Sequence, residues 1–587
     1  MKAFKAVCVL LCLLVPAGEV FAQGVGASGS ITGTITDPSG AVIPNANVVA
    51  VETQKGTRYN TISESLGEYR LVGVPPGIYD VSVQIAGFEP AVVKNVVVNV
   101  GQTGIVDFHL KVSSSTLQVE VNAEPLVVDT ERSSQANILT QDYIIDLPID
   151  RRDYLTFTLL LPGVSDSTRL AGDQDFRVKQ TPQSGLSFYG SNGRGNAITV
   201  DGGETGDDSG GVRLTLSQDA VQEFQVNRSN YTAEYGGASG ATVNIVSKSG
   251  GNQMHGTLYS YFRNDAMDAA DPFAFTQALA PNAPFNPAGP TLTGTPTKNT
   301  LQRYQYGGTV GGPIKKDKTF YFFAFEGLLQ NAQNAVPILT NTNIFLPNGA
   351  QNSVFQALAT LPGNPTVPCI NNPNGTVTSL PAATCAFGLQ SLLTINANPN
   401  ALQQNFVSHG QAAINNFLIN QFEDEGGLFP YDTREYLASG RIDHHIDAAN
   451  QLTLTYRYGH DLEQSPDVNS LTAFSAGSSI HNYDSNLQGA WFHEFSPTIQ
   501  NELRLHWDYN SFNVIPNVPA EVGIQIPGFI NNLGTNIFLP NLTILRRYEF
   551  ADNVTWSHGN QGGSLTPGNS VPVQNGMKFD VTETGQS

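Results

Sequence analysis

The sequence predicts a mainly β protein in three parts, the last of them a transmembrane antiparallel sheet. Three observations carry this. Charged residues make up only 14% of the 587-residue chain, against roughly 25% in an ordinary soluble domain, and glycine, proline and polar turn formers take their place. The first residues read as an export signal: Lys2 and Lys5, an apolar run from Ala6 to Val15, then Val20, Phe21 and Ala22 at the cleavage position. From about His255 onward, segments of about ten residues alternate apolar and polar, as strands do that face lipid on one side and a lumen on the other.

Residues 1–23 are therefore set aside as a signal peptide, whose apolar run is too short to span a bilayer. No later run reaches 18 uninterrupted apolar residues, so a mature chain that enters a membrane must do so as a β-barrel. A net charge of −20 argues against a nucleic-acid partner, which would need a basic patch. Of four cysteines, Cys8 and Cys12 leave with the signal. Cys369 and Cys385 flank a Pro/Asn/Gly-rich stretch and read as a loop-closing disulfide in an oxidising compartment.

Residues 29–112 hold roughly seven short alternating runs divided by Pro-Ser-Gly, Pro-Pro-Gly and Gly-Gln-Thr-Gly turns, the spacing of a small Greek-key β-sandwich. Tyr69 and Leu71 face one side, and Val81, Val83 and Ile85 alternate into the core. Residues 113–122 form a Ser/Thr linker and a short alternating run. Residues 123–252 are α+β, with a strand-like 126–128, a helical stretch around 140–146, a short strand at 197–201 and a glycine-rich end. From 253 the expected strands lie near 255–263, 302–311, 318–328, 434–446, 449–459, 482–494, 498–513 and 544–556. Short turns at 447–450 and 495–497 contrast with a long connection at 329–433, the end-to-end asymmetry of an outer-membrane barrel.

Several stretches carry a family resemblance. "GTITDPSGAVIPNANV" followed by "GEYRLVGVPPGIYDVSVQIAGF" resembles the carboxypeptidase regulatory-like domain, one of the carbohydrate-binding-like sandwich folds. "LPIDRRDYLTFTLLLPGV", "NAITVDGGETGDDSGGVRLTLSQDAVQEFQV", "YTAEYGGASGATVNIVSKSGGNQMHGTLYSYFRN" and "GGTVGGPIKKDKTFYFFAFEG" resemble the TonB-dependent outer-membrane receptors of the Oar-like group. The resemblance implies that residues 123–252 form a plug inside a barrel that starts at 253. It places a TonB-contacting strand at Leu117, Gln118, Val119, Glu120 and Val121, acting by strand addition. The alternative is a linker strand that pairs only with its own chain. Gly236, Gly237, Gly240, Gly250 and Gly251 are the residues expected to turn the chain out of the plug, where tight bends and close backbone approach exclude a side chain.

About eight strands in roughly 330 residues would close only around side chains, with no room for a plug. The chain is therefore expected to be the N-terminal portion of a receptor, with a partial barrel whose free edges are the strands near 255–263 and 544–556.

Other motifs read blandly. Asp201, Glu204, Asp207 and Asp208 lack the order of a calcium loop and read as a solvated plug loop. His444 and His445 are neighbours on a strand and face opposite sides. Arg151 and Arg152 read as an isolated pair on the plug surface. No catalytic fingerprint is present, and neither enzyme, metal nor cofactor is expected.

The function implied by the resemblance is energised import across the outer membrane. TonB and its inner-membrane energising complex would be the partners, outer-membrane lipid the surroundings, and an unidentified substrate the cargo, a glycan or another large nutrient. The alternative is a non-transporting carbohydrate-binding or adhesion protein built on the sandwich, for which an aromatic platform among Tyr59, Tyr69, Tyr79 and Phe88 would be the sign.

Overall fold

A computed structural model describes residues 28–112, 119–122, 135–146, 149, 152–166, 186–191, 195–206, 216–229, 238–270, 272, 296–336, 349–370, 377–393, 425, 427–447, 449–468, 472–496, 499–519, 524–526, 530–536, 539–556 and 581–586.

The N-terminal unit is a sandwich of two sheets. Its strands are β1 (Gly29–Thr36), β2 (Asn47–Glu52), β3 (Arg58–Ile62), β4 (Glu68–Val74), β5 (Gly77–Gln84), β6 (Ala91–Val98), β7 (Thr103–Ile105) and β8 (Phe108–His109). One sheet runs β4-β1-β7 with β8 also on β1, and the other β3-β2-β5-β6, extended by β9 (Val119–Asn122). Alternation drives the packing: Ile31, Tyr69, Leu71, Tyr79, Val81 and Val83 interdigitate in one core, with Ile85 and Phe88 partly buried against it. Each hydroxyl among the large rings finds a partner, Tyr69 donating to the Val106 carbonyl at 2.6 Å and Tyr79 to the Pro75 carbonyl at 2.7 Å. With Tyr59, Tyr69 and Tyr79 in the core, no exposed platform of these rings exists.

The α+β unit centres on the sheet β10-β15-β16-β13-β14, from β10 (Gln135–Thr140), β13 (Ala197–Val200), β14 (Gly203–Glu204), β15 (Val221–Ser229) and β16 (Thr242–Ser247). A helix α1 (Gln141–Asp146), a 3₁₀ turn at Tyr154–Leu160 and the hairpin of β11 (Val164–Asp166) and β12 (Leu186–Phe188) complete it. The alternation of β16 suggests a two-faced strand, yet all six of its residues are buried. It lies between β15 and β13, with one face on the unit's own core and the other covered from outside. That core runs on into the wall through Phe322 and Ala324. The strand expected at 126–128 lies outside the described residues.

The wall is an antiparallel sheet of long strands: β17 (His255–Asn264), β18 (Leu301–Lys315), β19 (Thr319–Val336), β23 (Thr433–His445), β24 (Asn450–Gln464), β25 (Ser478–Ser496), β26 (Ile499–Pro516), β29 (Asn541–Trp556) and β30 (Val581–Gln586), each paired with the next, and β22 (Gly427–Pro430) added to the end of β19. All eight expected segments are strands, and most run well past their expected bounds, because the pattern weakens where strands rise beyond the apolar band. Two expectations are corrected. The edge expected at 544–556 is covered in part by β30, which pairs with Thr543–Tyr548, while among the described residues 549–556 has no strand partner on that side; "VTETGQ" holds three β-branched residues but too little apolar character to signal a strand. The long connection after 329 is not all loop. It holds α2 (Gly349–Ala359), the hairpin of β20 (Thr366–Ile370) and β21 (Val377–Pro381), and α3 (Ala382–Leu393). A further hairpin, β27 (Ile524–Ile526) and β28 (Ile530–Leu533), lies between β26 and β29. Among the described residues β17 pairs only with β18, so the sheet is open along that edge.

The faces of the wall differ as a barrel requires. On β24, Leu452, Leu454 and Tyr456 are exposed on the outside, while Thr455 and Arg457 are buried inside. Tyr458, Tyr483 and Tyr509 form an outward edge-to-face chain toward the long-loop end, and Trp491, His493 and Phe495 cluster toward the short-turn end. Leu454, Leu487, Leu505 and Phe550 fill the outward band between these two aromatic levels.

Candidate functional site

The tip of the β13–β14 hairpin is one of the places where the plug meets the wall. Asp201 sits in the left-handed region at φ 53° and is buried. Its carboxylate accepts from the Ser247 amide at 2.9 Å and the Ser247 hydroxyl at 2.7 Å, which fixes it against β16. Two guanidiniums from the wall then converge on it, Arg441 at 3.4 Å and Arg457 at 3.5 Å. Arg441 is shared with Asp443, two residues along its own strand and so on the same face, at 2.9 Å. Arg457 is almost fully buried and turns its other nitrogens to the side-chain oxygens of Asn486 and Gln488. Gln488 in turn donates to the Asp201 carbonyl at 2.6 Å.

Next to Asp201 the backbone touches the wall directly. Gly202 has φ 83°, and a Cβ there would overlap the Arg504 guanidinium, so a left-handed glycine is the residue this approach admits. Arg504 donates to the Gly202 carbonyl at 3.1 Å. Arg547 lies 3.8 Å from both Glu204 on the plug and Asp508 on the wall. The reading of Asp201 and Glu204 as a solvated loop is thus corrected: their partners stand some 240 to 340 positions later in the chain, where no local pattern connects them. Asp207 and Asp208 lie outside the described residues.

A second latch is Arg152, read from sequence as a surface charge. It lies 3.1 Å from Asp219 and 3.3 Å from Glu326 of β19, with its guanidinium 4.1 Å from the Tyr259 ring centre. Burial works against its charge, but Glu326 and Asp219 leave it more firmly protonated than a free guanidinium. Glu326 also accepts from Tyr259 at 2.5 Å and from Gln305 at 2.7 Å. Buried ion pairs of this kind contribute little net stability, since desolvation offsets attraction, but removing one partner leaves a buried charge unpaired at a cost of roughly 3–5 kcal/mol. The plug is therefore held on the wall by polar contacts at these two places, beside the apolar contact of its core with Phe322 and Ala324.

Of the expected exit glycines, Gly236 and Gly237 lie outside the described residues. A Cβ at Gly240 would overlap the Asn196 side chain, and one at Gly250 would overlap the Tyr321 carbonyl and lie 2.8 Å from that of Gly312. Gly251 packs on Gln54 of the sandwich. None of these three adopts a left-handed φ, so close approach alone is the constraint there. In the segment expected to contact TonB, Leu117 and Gln118 lie outside the described residues. Val119, Glu120 and Val121 belong to β9, which runs parallel to β6 with Val119 opposite Ala91 and Val121 opposite Val93. The strand is held by its own chain here, as the edge of the sandwich sheet. Cys369 and Cys385 are joined in a disulfide between β20 and α3. His444 and His445 face apart, His444 toward Thr319 and His445 toward Thr57.

A family model described as an outer membrane beta barrel domain matches residues 246–568, more than half of the chain, and one described as a carboxypeptidase regulatory-like domain matches residues 30–111. The TonB-dependent transporter Oar of Myxococcus xanthus is 25% identical over 326 residues, which are 53% of this chain and 28% of that protein. Similar solved structures include the outer membrane transporter YddB of Escherichia coli, at 10% identity and TM-score 0.43 over 73% of this chain and 46% of that one. The siderophore receptor PirA of Acinetobacter baumannii has 13% identity and TM-score 0.40, with the same shares of the two chains. The chain thus spans about a quarter of the length of the curated relative and under half of these solved chains.

Proposed function

The chain belongs to the outer membrane β-barrel family, and on that premise we propose that it is one of the TonB-dependent receptors that carry an N-terminal carboxypeptidase regulatory-like domain and that it serves energised import across the outer membrane. The observation that carries this is the plug seated inside the sheet on buried ion pairs, above all Asp201 between Arg441 and Arg457. Such a plug blocks the lumen at rest, and the polar part of its seating consists of contacts that water can replace as it moves. The short-turn end faces the periplasm and the long-loop end the exterior, where an unidentified substrate binds. TonB takes hold at 117–121 by strand addition and pulls, with energy supplied from the inner membrane. Neither catalysis nor a nucleotide enters this reading. A substrate class is not assigned; the sandwich's likeness to carbohydrate-binding folds is fold analogy alone.

The test is nutrient uptake in the native host, screened across ferric chelates, oligosaccharides and peptides. Accumulation that is lost both without TonB and with Val119→Pro, which removes a ladder donor, supports the reading. Accumulation that survives both refutes it.

A further inference from the structure

The sandwich is docked across the short-turn end of the wall by three of its turns. The turn between β2 and β3 holds the plug's exit segment: Asn252 donates its amide to the Gln54 carbonyl at 2.9 Å and its side-chain nitrogen to the Lys55 carbonyl at 2.7 Å. The same side chain ties the wall turn at 316–318, donating to Asp317 Oδ1 at 2.6 Å and accepting from the Asp317 amide at 2.8 Å. Just beyond, Thr57 meets His445 at 3.4 Å, and Tyr59 donates to Gln451 at 3.2 Å. The turn between β6 and β7 covers plug strand β15, with the Val100 amide donating to the Glu223 carboxylate and Gly101 packed on Gln225. At the end of β4, Gly73 lies so close to the Phe492 ring of β25 that a Cβ would come within 2.8 Å. One rigid sandwich therefore touches plug, exit segment and wall at once, and Asn252 ties the exit segment to both sandwich and wall.

We infer that the docked sandwich is an interlock: it pins the exit segment and covers β15, so the plug cannot shift toward the short-turn end until the sandwich swings away. β9 is the edge of the same sandwich sheet, so a pull on 117–122 acts on the sandwich before it reaches the plug. The interlock is a property of the resting fold. It draws on the import reading only for the source of the pull.

The geometry supplies its own test. A Cβ built on Gly251 lies 3.6 Å from the Gln54 Cβ, within the roughly 3.5–4.5 Å range that a disulfide needs. The protein carrying Gln54→Cys and Gly251→Cys is expected to cross-link on mild oxidation in detergent. Amide exchange in β15 and β16 is then expected to be at least about tenfold slower than in the same protein reduced. Asn252→Ala is expected to act the other way, speeding exchange across 221–252. A protein that does not cross-link overturns the docking, and equal exchange in the oxidised and reduced forms overturns the interlock. If the double variant does not fold, Asn252→Ala decides alone, and unchanged exchange overturns the proposal. No arm reads transport, so failure here leaves the import reading standing, and failure of import leaves this result intact.

Discussion

Replacing Asp201 by asparagine removes the charge and turns one of its two accepting oxygens into a donor, while the backbone is kept, because asparagine tolerates the left-handed φ of 53° at that position. The carboxylate lies 3.4 Å from Arg441 and 3.5 Å from Arg457. At an effective dielectric near 20, opposite charges about 3.5 Å apart attract by ~5 kcal/mol. The two guanidiniums do not lose equally. Arg441 keeps Asp443, with bonds of 3.0 Å from Nε and 2.9 Å from Nη2. Arg457 keeps the neutral amides of Asn486 and Gln488, both at 3.4 Å, as hydrogen-bond acceptors, and beyond them, among the described residues, only the electrostatic pull of Asp508, with which it forms no ion pair within 4.0 Å. Removing one partner from a buried pair costs roughly 3–5 kcal/mol, so a loss of about 3 kcal/mol in plug seating is expected, most of it at Arg457. Hydrogen exchange of the β16 amides in detergent reads this as opening about 150-fold more frequent. A double-mutant cycle apportions it: coupling between Asp201→Asn and Arg457→Gln should be about 2–4 kcal/mol, and between Asp201→Asn and Arg441→Gln clearly smaller. Exchange in Asp201→Asn within about threefold of wild type would refute the account of how the plug is seated.

Glu223 predicts a pH dependence. Burial, opposed by the Val100 amide, pushes its carboxyl from 4.5 up to about 7. A raised carboxyl favours the folded state fully below pH 4.5 and loses that contribution as pH rises to about 7; the whole effect is about 3 kcal/mol. Glu223→Gln should flatten the stability curve across that window, and an unchanged slope in urea titrations counts against it. Gly250→Ala should fail to seat the exit segment, since its Cβ meets two wall carbonyls, and circular dichroism melting should show a loss of several kcal/mol; wild-type stability would contradict the packing. Reduction of the Cys369–Cys385 bridge, which spans 16 positions, should destabilise residues 349–393 by roughly 3 kcal/mol in the chain-entropy account. Proteolysis confined to that insertion, with an intact wall, is the expected readout, and wall cleavage on the same timescale would contradict it.

Much of the fold was legible because its signals are local. Alternation with turn residues marked the sandwich and all eight principal wall strands. What escaped depends on contacts far apart in the chain. Arg152 carries no pattern that separates a surface charge from a latch; its partners Asp219 and Glu326 reach it only through the fold. Asp201 looked like one of several loop acids because Arg441 and Arg457 lie on strands that nothing nearby announces. β16 read as two-faced because its polar residues suit a solvated side, whereas Thr242 and Asn244 are buried in hydrogen bonds with neighbouring strands. The helices and hairpin after Val336 are short and weakly patterned, and a disulfide secures them where periodicity gives little signal. Docking of the sandwich depends largely on the backbone carbonyls of Gln54 and Lys55, which no side-chain pattern records.

The central claim is that residues 117–121 are the handle by which TonB acts on a seated plug. Its most direct test places a photo-activated cross-linker at Glu120 of the full-length protein in outer-membrane vesicles and adds the periplasmic domain of TonB. The account predicts capture of TonB at Glu120, lost when Val119→Pro is introduced, and no capture from the exposed sandwich position Lys111. Capture that is indifferent to Val119→Pro, or that occurs at Lys111 and not at Glu120, would contradict it.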